Sequence, residues 1–160
     1  MNFPDRETVK RLRREYQAGC RIVLDEMDDP YTKLPADAQA TCQGVDDAGN
    51  ILCAWDCGSG LSIAFGADRC HKVRTEEEAK TTLNWYGKRQ PSENARCPRG
   101  GCRMEGATSR HALSRRAEIM ICDQDGMREA LEDAGITERL PLTDWVAIAG
   151  PGRGDGAWKG

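Results

Sequence analysis

Cys97-Pro-Arg-Gly-Gly-Cys102 is followed downstream by Cys122-Asp-Gln-Asp125-Gly126. Two cysteine-bearing turns joined by a short hairpin are what a tetrahedral zinc requires, because each tight bend supplies two ligands. The first turn is widened, and the second carries Asp125 where a cysteine would complete C-x-x-C. A borderline metal accepts a carboxylate oxygen in place of one thiolate. The ligand set expected of a structural zinc is therefore Cys97, Cys102, Cys122 and Asp125, with His111 as the alternative fourth ligand. The competing interpretation is that the metal is lost and the cysteines serve as small buried apolar groups.

Other chemistry is sparse. The chain has two histidines, His71 and His111, and no Ser-His-Asp order, phosphate-binding glycine loop or H-E-x-x-H motif. Cys57, beside Gly58 in a turn, is the thiol most expected to be exposed, but no base is identifiable near it. The acidic run Asp25, Glu26, Asp28 and Asp29 lacks the spacing and internal glycine of a calcium loop. With Asp46 and Asp47 it is read as an acidic edge facing a partner. Basic residues gather in Lys10-Arg11-Leu12-Arg13-Arg14 and around Arg96, Arg99, Arg103, Arg110, Arg115 and Arg116. Arg115 and Arg116 are the basic residues assigned to partner binding.

The 23 basic and 26 acidic residues leave a net charge of −3, which argues mildly against broad nucleic-acid affinity, since that draws on neutralised phosphates. With 39% apolar content, 160 residues hold one ordinary domain or two small ones, each short of core. Metal suits the second half as a staple. The charged start MNFPDRETVKRLRREY has no apolar signal segment, so the eight cysteines are expected to be reduced, in a cytoplasm. No run approaches the length of a membrane span.

The positioning elements follow from periodicity. Val9, Leu12 and Tyr16 mark a short amphipathic helix over 4–17, ended by Gly19. Short strand-like runs follow at 21–24, 40–43, 50–55 and 61–65, separated by Asp-, Asn- and Gly-rich turns. Ile51, Cys53 and Trp55 share one face by alternation, which makes Cys53 a core residue. Several short strands at this spacing predict a small antiparallel barrel. Thr75 with Glu78 forms a capping box, so a helix is expected over 75–86, ending near Gly87 and linking the two halves. A polar loop runs from 88 to 96, and a short helix over 127–134 stops at Gly135. Leu142 and Trp145 should pack back on the body, and the Gly- and Pro-rich tail 149–160 should be disordered.

Met27-Asp-Asp-Pro-Tyr31, Thr41, Gly44-Val-Asp-Asp-Ala-Gly49, Trp55-Asp56, Gly58-Ser59 and Leu61 carry a resemblance of residues 2–73 to an uncharacterised SH3-like barrel family of phages and bacterial mobile elements. The glycines usual before the second strand are absent from Pro35–Ala40, which implies altered loops. Asn94-Ala-Arg-Cys-Pro98, Ala112-Leu-Ser-Arg-Arg-Ala117, Ile121-Cys122 and Glu129-Ala-Leu-Glu-Asp133 make residues 94–148 similar to a phage-type zinc-ribbon module.

The expected fold is α+β: a helix and SH3-like barrel over 1–73, a linking helix and loop over 74–96, and a degenerate zinc ribbon over 97–148. The expected function is non-enzymatic. The resemblance implies a phage or mobile-element inhibitor that binds a host defence protein, a CRISPR nuclease such as Cas9 (an anti-CRISPR). The alternative is a nucleic-acid-binding accessory factor using the arginines around the ribbon, and a third possibility is a redox or metal-sensing regulator.

Overall fold

A computed structural model describes residues 3–28 and 34–149. The chain divides into two compact units, Met1–Val73 and Arg74–Gly160. The expected disordered tail lies, from residue 150 onward, outside the described residues. The class is α+β, with an N-terminal helix, a four-stranded antiparallel sheet and further helices.

In the first unit, α1 (Arg6–Glu15) starts on Asp5, whose carboxylate accepts the Thr8 N–H at 2.7 Å. Glu7 in its first turn and Arg13 and Arg14 in its last suit the helix dipole. Four strands follow: β1 (Arg21–Glu26), β2 (Gln39–Val45), β3 (Ile51–Trp55) and β4 (Arg69–Lys72). They lie in the order β3-β2-β1-β4, every pair antiparallel, consistent with a small barrel-like domain. Along β3 the burial alternates as expected, with Ile51, Cys53 and Trp55 inside. The β2–β3 turn is tied by Asp46, whose side chain accepts the N–H groups of Ala48 and Asn50 at 3.0 and 2.8 Å. Arg21 is 2% exposed at the head of β1. Its guanidinium binds both oxygens of Asp56 and also reaches Thr41 and Gln39, so the buried charge is paired.

One predicted strand is absent. The run 61–65 makes a single bridge, Ile63 to Ile51, because Asp68 captures the Ala64 N–H at 2.8 Å and turns the chain away. The outer place beside β1 falls instead to β4, whose Arg69, Cys70, His71 and Lys72 carry no apolar alternation.

In the second unit, α2 (Glu76–Gly87) opens with the expected capping box. Glu78 N–H donates to Thr75 Oγ1, and Thr75 N–H to the Glu78 carboxylate, both at 3.1 Å. This helix is an integral part of the second unit: it buries Ala79, Thr82, Leu83 and Tyr86 and packs on a 3-10 turn at 142–144 and on a short helix that follows it, Val146–Ala149. Leu142 and Trp145 are buried there, Trp145 completely.

Gly87 is required by a close approach. A Cβ built on it would stand 1.9 Å from the carbonyl oxygen of Glu118. Gly87→Ala is therefore expected to cost about 1–3 kcal/mol through forced backbone displacement, read as a lower thermal transition of the second unit.

Between these elements β5 (Ala112–Leu113) and β6 (Met120–Ile121) form a minimal hairpin. Then α3 (Asp123–Asp133) begins four residues before the expected Met127, since Cys122 acts as N-cap and Asp123 and Asp125 fill an acidic first turn. It ends in a Schellman motif: Ile136 N–H donates to Leu131 carbonyl, Gly135 N–H to Glu132 carbonyl, and Gly135 takes φ +75°. The short helix at Val146–Ala149 is α4. Among the described residues no helix is long and apolar enough to cross a membrane.

Candidate metal centre

Cys97 and Cys102 sit at the tip of a tight hairpin. Arg96 bridges Arg103, Met104 N–H donates to Ala95 carbonyl, and Cys97 N–H to Cys102 carbonyl, the last two at 2.8 Å. Gly101, at φ +80°, lets the chain reverse between the two sulfurs. β6 delivers Cys122 to the same place from the other side. The result is a cluster in which the sulfurs of Cys97, Cys102 and Cys122 all lie within 4.8 Å of one another. Zinc–sulfur bonds of about 2.3 Å put tetrahedral thiolates roughly 3.8 Å apart, so a small contraction suffices for coordination.

The surroundings favour sulfur as an acceptor. Cys122 N–H points at Cys97 Sγ and Asp125 N–H at Cys122 Sγ, both at 3.4 Å. Cys122 also caps the positive end of α3, where negative charge is favoured. Against this, burial pushes the Cys97 thiol up to about 11 and raises Cys122 further, with the neighbouring sulfurs adding to it. Cys97 and Cys122 keep their protons unless a cation neutralises them, and a bound divalent metal reverses that balance. The donor set thus fits a thiophilic metal.

Neither fourth-ligand candidate belongs to the set of mutually close ligand atoms. Asp125 comes nearest. One of its oxygens accepts from the Cys97 thiol at 3.1 Å, while the other is held by Arg128 at 2.5 Å and faces Arg99 at 3.8 Å. Because α3 has already begun, Asp125 projects from a helical turn and does not complete a knuckle. His111 is turned elsewhere: its Nε2 meets the Glu105 carbonyl at 2.7 Å and its Nδ1 faces Asp123 at 3.7 Å.

Residues 5–73 match the family model described as Domain of unknown function (DUF4314), which covers less than half of the chain. No curated protein and no solved structure matches the chain.

In the matched segment the acidic residues do not form one edge. β1 and β2 run antiparallel with Val23 opposite Gln39 and Arg21 opposite Thr41. Asp25, Glu26 and Asp28 therefore lie at one end of the sheet, and Asp46 and Asp47 at the other. Several are already engaged: Asp25 with His71 at 2.8 Å, Glu26 with Arg69, Asp47 with Arg13 at 2.6 Å, and Asp46 inside its own turn. Asp28 is exposed, with its N–H on Asp68, and Asp29 lies outside the described residues. Cys57 is exposed, as expected.

The arginines of the second unit fall into two groups. Arg99 and Arg116 are drawn inward. Arg99 makes a bidentate pair with Glu132 at 2.9 and 2.8 Å, and Arg116 binds Glu132 and Asp133. Arg116 has a side chain 10% exposed, which leaves little of it for a partner, while Arg115 is half exposed and pairs with Asp133 at 3.3 Å. Glu129 is completely buried and accepts from Ser114 Oγ and from the Arg115 N–H. Sequence reasoning missed this network. A signal was available: Asp125, Glu129 and Glu132 recur at i, i+4 and i+7, the spacing of an inward helix face. Arg103 and Arg110, by contrast, are exposed and have no carboxylate partner among the described residues.

Proposed function

We propose that this chain is a non-enzymatic binding protein whose second unit is a reduced zinc ribbon. The observation that carries this reading is the three-sulfur cluster with backbone N–H groups on two of its sulfurs. Cys97, Cys102 and Cys122 would hold the zinc, and Asp125, already against Cys97, is the nearest candidate for the fourth position. The bound metal would supply positive charge and a cross-link. The chain's own residues tie the 95–104 hairpin, β6 and the start of α3 to that point, a structural use of metal and not a catalytic one. Purified protein should carry one zinc per chain by elemental analysis, and a metal-free preparation with native helicity would refute the centre.

The partner we propose is a host defence protein, with a CRISPR nuclease such as Cas9 as first target. Its support is the likeness to mobile-element modules and the acidic balance of the chain, which suits the basic channel of a nucleic-acid enzyme. A second reading, nucleic-acid binding, is favoured by Arg103, next to the exposed Cys102, and Arg110, both exposed and without carboxylate partners among the described residues. Guide-programmed cleavage titrated with this protein, beside a gel shift of the same DNA, separates the two. Inhibition near equimolar nuclease without a shift supports the inhibitor, whereas a shift that falls steeply with salt supports the nucleic-acid factor.

A further inference from the structure

The first unit holds a second group of cysteines that the metal centre does not use. Cys20, Cys42 and Cys53 share one core cluster with Ile22 and Trp55, and Cys70 is packed against it. The register explains the juxtaposition. Arg21 pairs with Thr41, so one step outward Cys20 stands opposite Cys42, and the Cys42 N–H donates to the Cys20 carbonyl at 2.8 Å. Alternation turns both side chains to the face of Ile22 and Ala40. Opposed residues on antiparallel strands have Cα atoms about 4.5–5.5 Å apart, inside the window for a disulfide.

We propose that Cys20 and Cys42 are an oxidation site, closing a cross-strand disulfide when the protein meets a peroxide or a low-molecular-weight disulfide. Cys42 is the attacking thiol. The neighbouring Cys20 thiol holds it below the ordinary thiol range, assisted by the charge of Lys72. With hydrogen peroxide, the Cys42 thiolate takes the distal oxygen as the O–O bond breaks, giving a sulfenic acid and hydroxide. The Cys20 sulfur then attacks that sulfur, its proton leaves with the displaced hydroxyl as water, and two electrons have passed from the two thiols to peroxide. Cys53 also stands opposite Cys42, on β3, with its sulfur donating to the Ile51 carbonyl at 3.3 Å, and is the rival partner that peptide mapping distinguishes. A metal is the poorer explanation of the pair, since among the described residues no third ligand atom joins it within 4.8 Å. Cys42 is 1% exposed and Cys20 8%, so the reaction requires the exposed turn 17–19 beside them to open; it ends at Gly19 with φ +95°, and Cys42 Sγ donates to the Tyr16 carbonyl just before it at 3.3 Å.

The test uses the full chain, treated with hydrogen peroxide, alkylated and digested at aspartate. Asp46 and Asp47 separate the Cys42 peptide from that of Cys53, and Asp25 separates it from that of Cys20. The expected product is a Cys20–Cys42 linked pair two hydrogens lighter than its parts, reversed by dithiothreitol and accompanied by a higher melting temperature of the first unit. Cys20→Ser should abolish it. Should that variant fail to fold, Cys20→Ala and Cys42→Ser provide the same comparison, and the mapping on wild-type protein stands without them. Alkyl groups on both cysteines after oxidation, or a Cys42–Cys53 link, would overturn the proposal.

Discussion

Cys97→Ser and Cys122→Ser are each expected to release the proposed zinc and to unfold the second unit, with loss of the helical signal from α2, α3 and α4. The size of the effect follows from the scale of structural zinc binding, about 10–16 kcal/mol in small metal-folded domains, against a total stability of about 5–15 kcal/mol for a domain. Cys97 is fully buried at the hairpin tip and Cys122 caps α3, so each removes a ligand and a structural contact together. Chelation of the wild-type protein must therefore reproduce the loss without any substitution. Cys57→Ser, at an exposed thiol of the first unit, should leave zinc content and melting unchanged. Retention of full helicity by both variants and by chelated protein would end the metal proposal.

Arg99→Ala carries the second large effect. Its side chain is 6% exposed and stands among Asp125, Glu129 and Glu132, at 3.8, 3.9 and 2.8 Å. Removing the cation leaves carboxylates buried without their partner, at a cost of about 3–5 kcal/mol. Arg99→Lys keeps the charge but loses the two-point contact with Glu132, so it should fall between wild type and alanine. Acid should find the same weakness. The Arg99 hydrogen bonds, helped by the Leu140 N–H and Arg116, hold Glu132 down at about 2 against an ordinary 4.5. A carboxylate depressed by folding contributes stability that is complete above its unfolded pKa and lost as pH falls towards its folded one. The window is thus from about pH 4.5 down to 2, and the contribution is about 3 kcal/mol. Denaturant midpoints measured across that window should drop in wild type and flatten in Glu132→Gln.

Much of this was legible in the sequence where local chemistry decides. The spacing of Val9, Leu12 and Tyr16 marked α1, the Thr75–Glu78 box placed the start of α2, and the alternation of Ile51, Cys53 and Trp55 placed β3 and its inward face. The three cysteines were legible as a cluster because their spacing needs little tertiary context. Other elements depended on distant partners. β4 has a sequence that favours no strand, and only pairing with β1 makes it one. The start of α3 was hidden because Cys-Asp-Gln-Asp-Gly reads equally as a metal knuckle and as a capped helical turn. That ambiguity also displaced Asp125, which became an acceptor for Cys97 clamped by Arg128. Arg99 and Arg116 looked like surface charge because the glutamates that take them inward are remote along the chain.

Cys122 holds two offices at once, as a sulfur of the cluster and as the residue on which α3 begins. Starting a helix is its slow and unfavourable step, since several dihedral angles must be fixed before the first hydrogen bond is gained. A cation that immobilises Cys122 would perform that step in advance, with the Asp125 N–H already aimed at its sulfur. The remainder of α3 could then propagate from a ready-made seed and bring Glu129 and Glu132 round to Arg99, so that the order in which this half of the chain acquires structure would be set by the arrival of an ion.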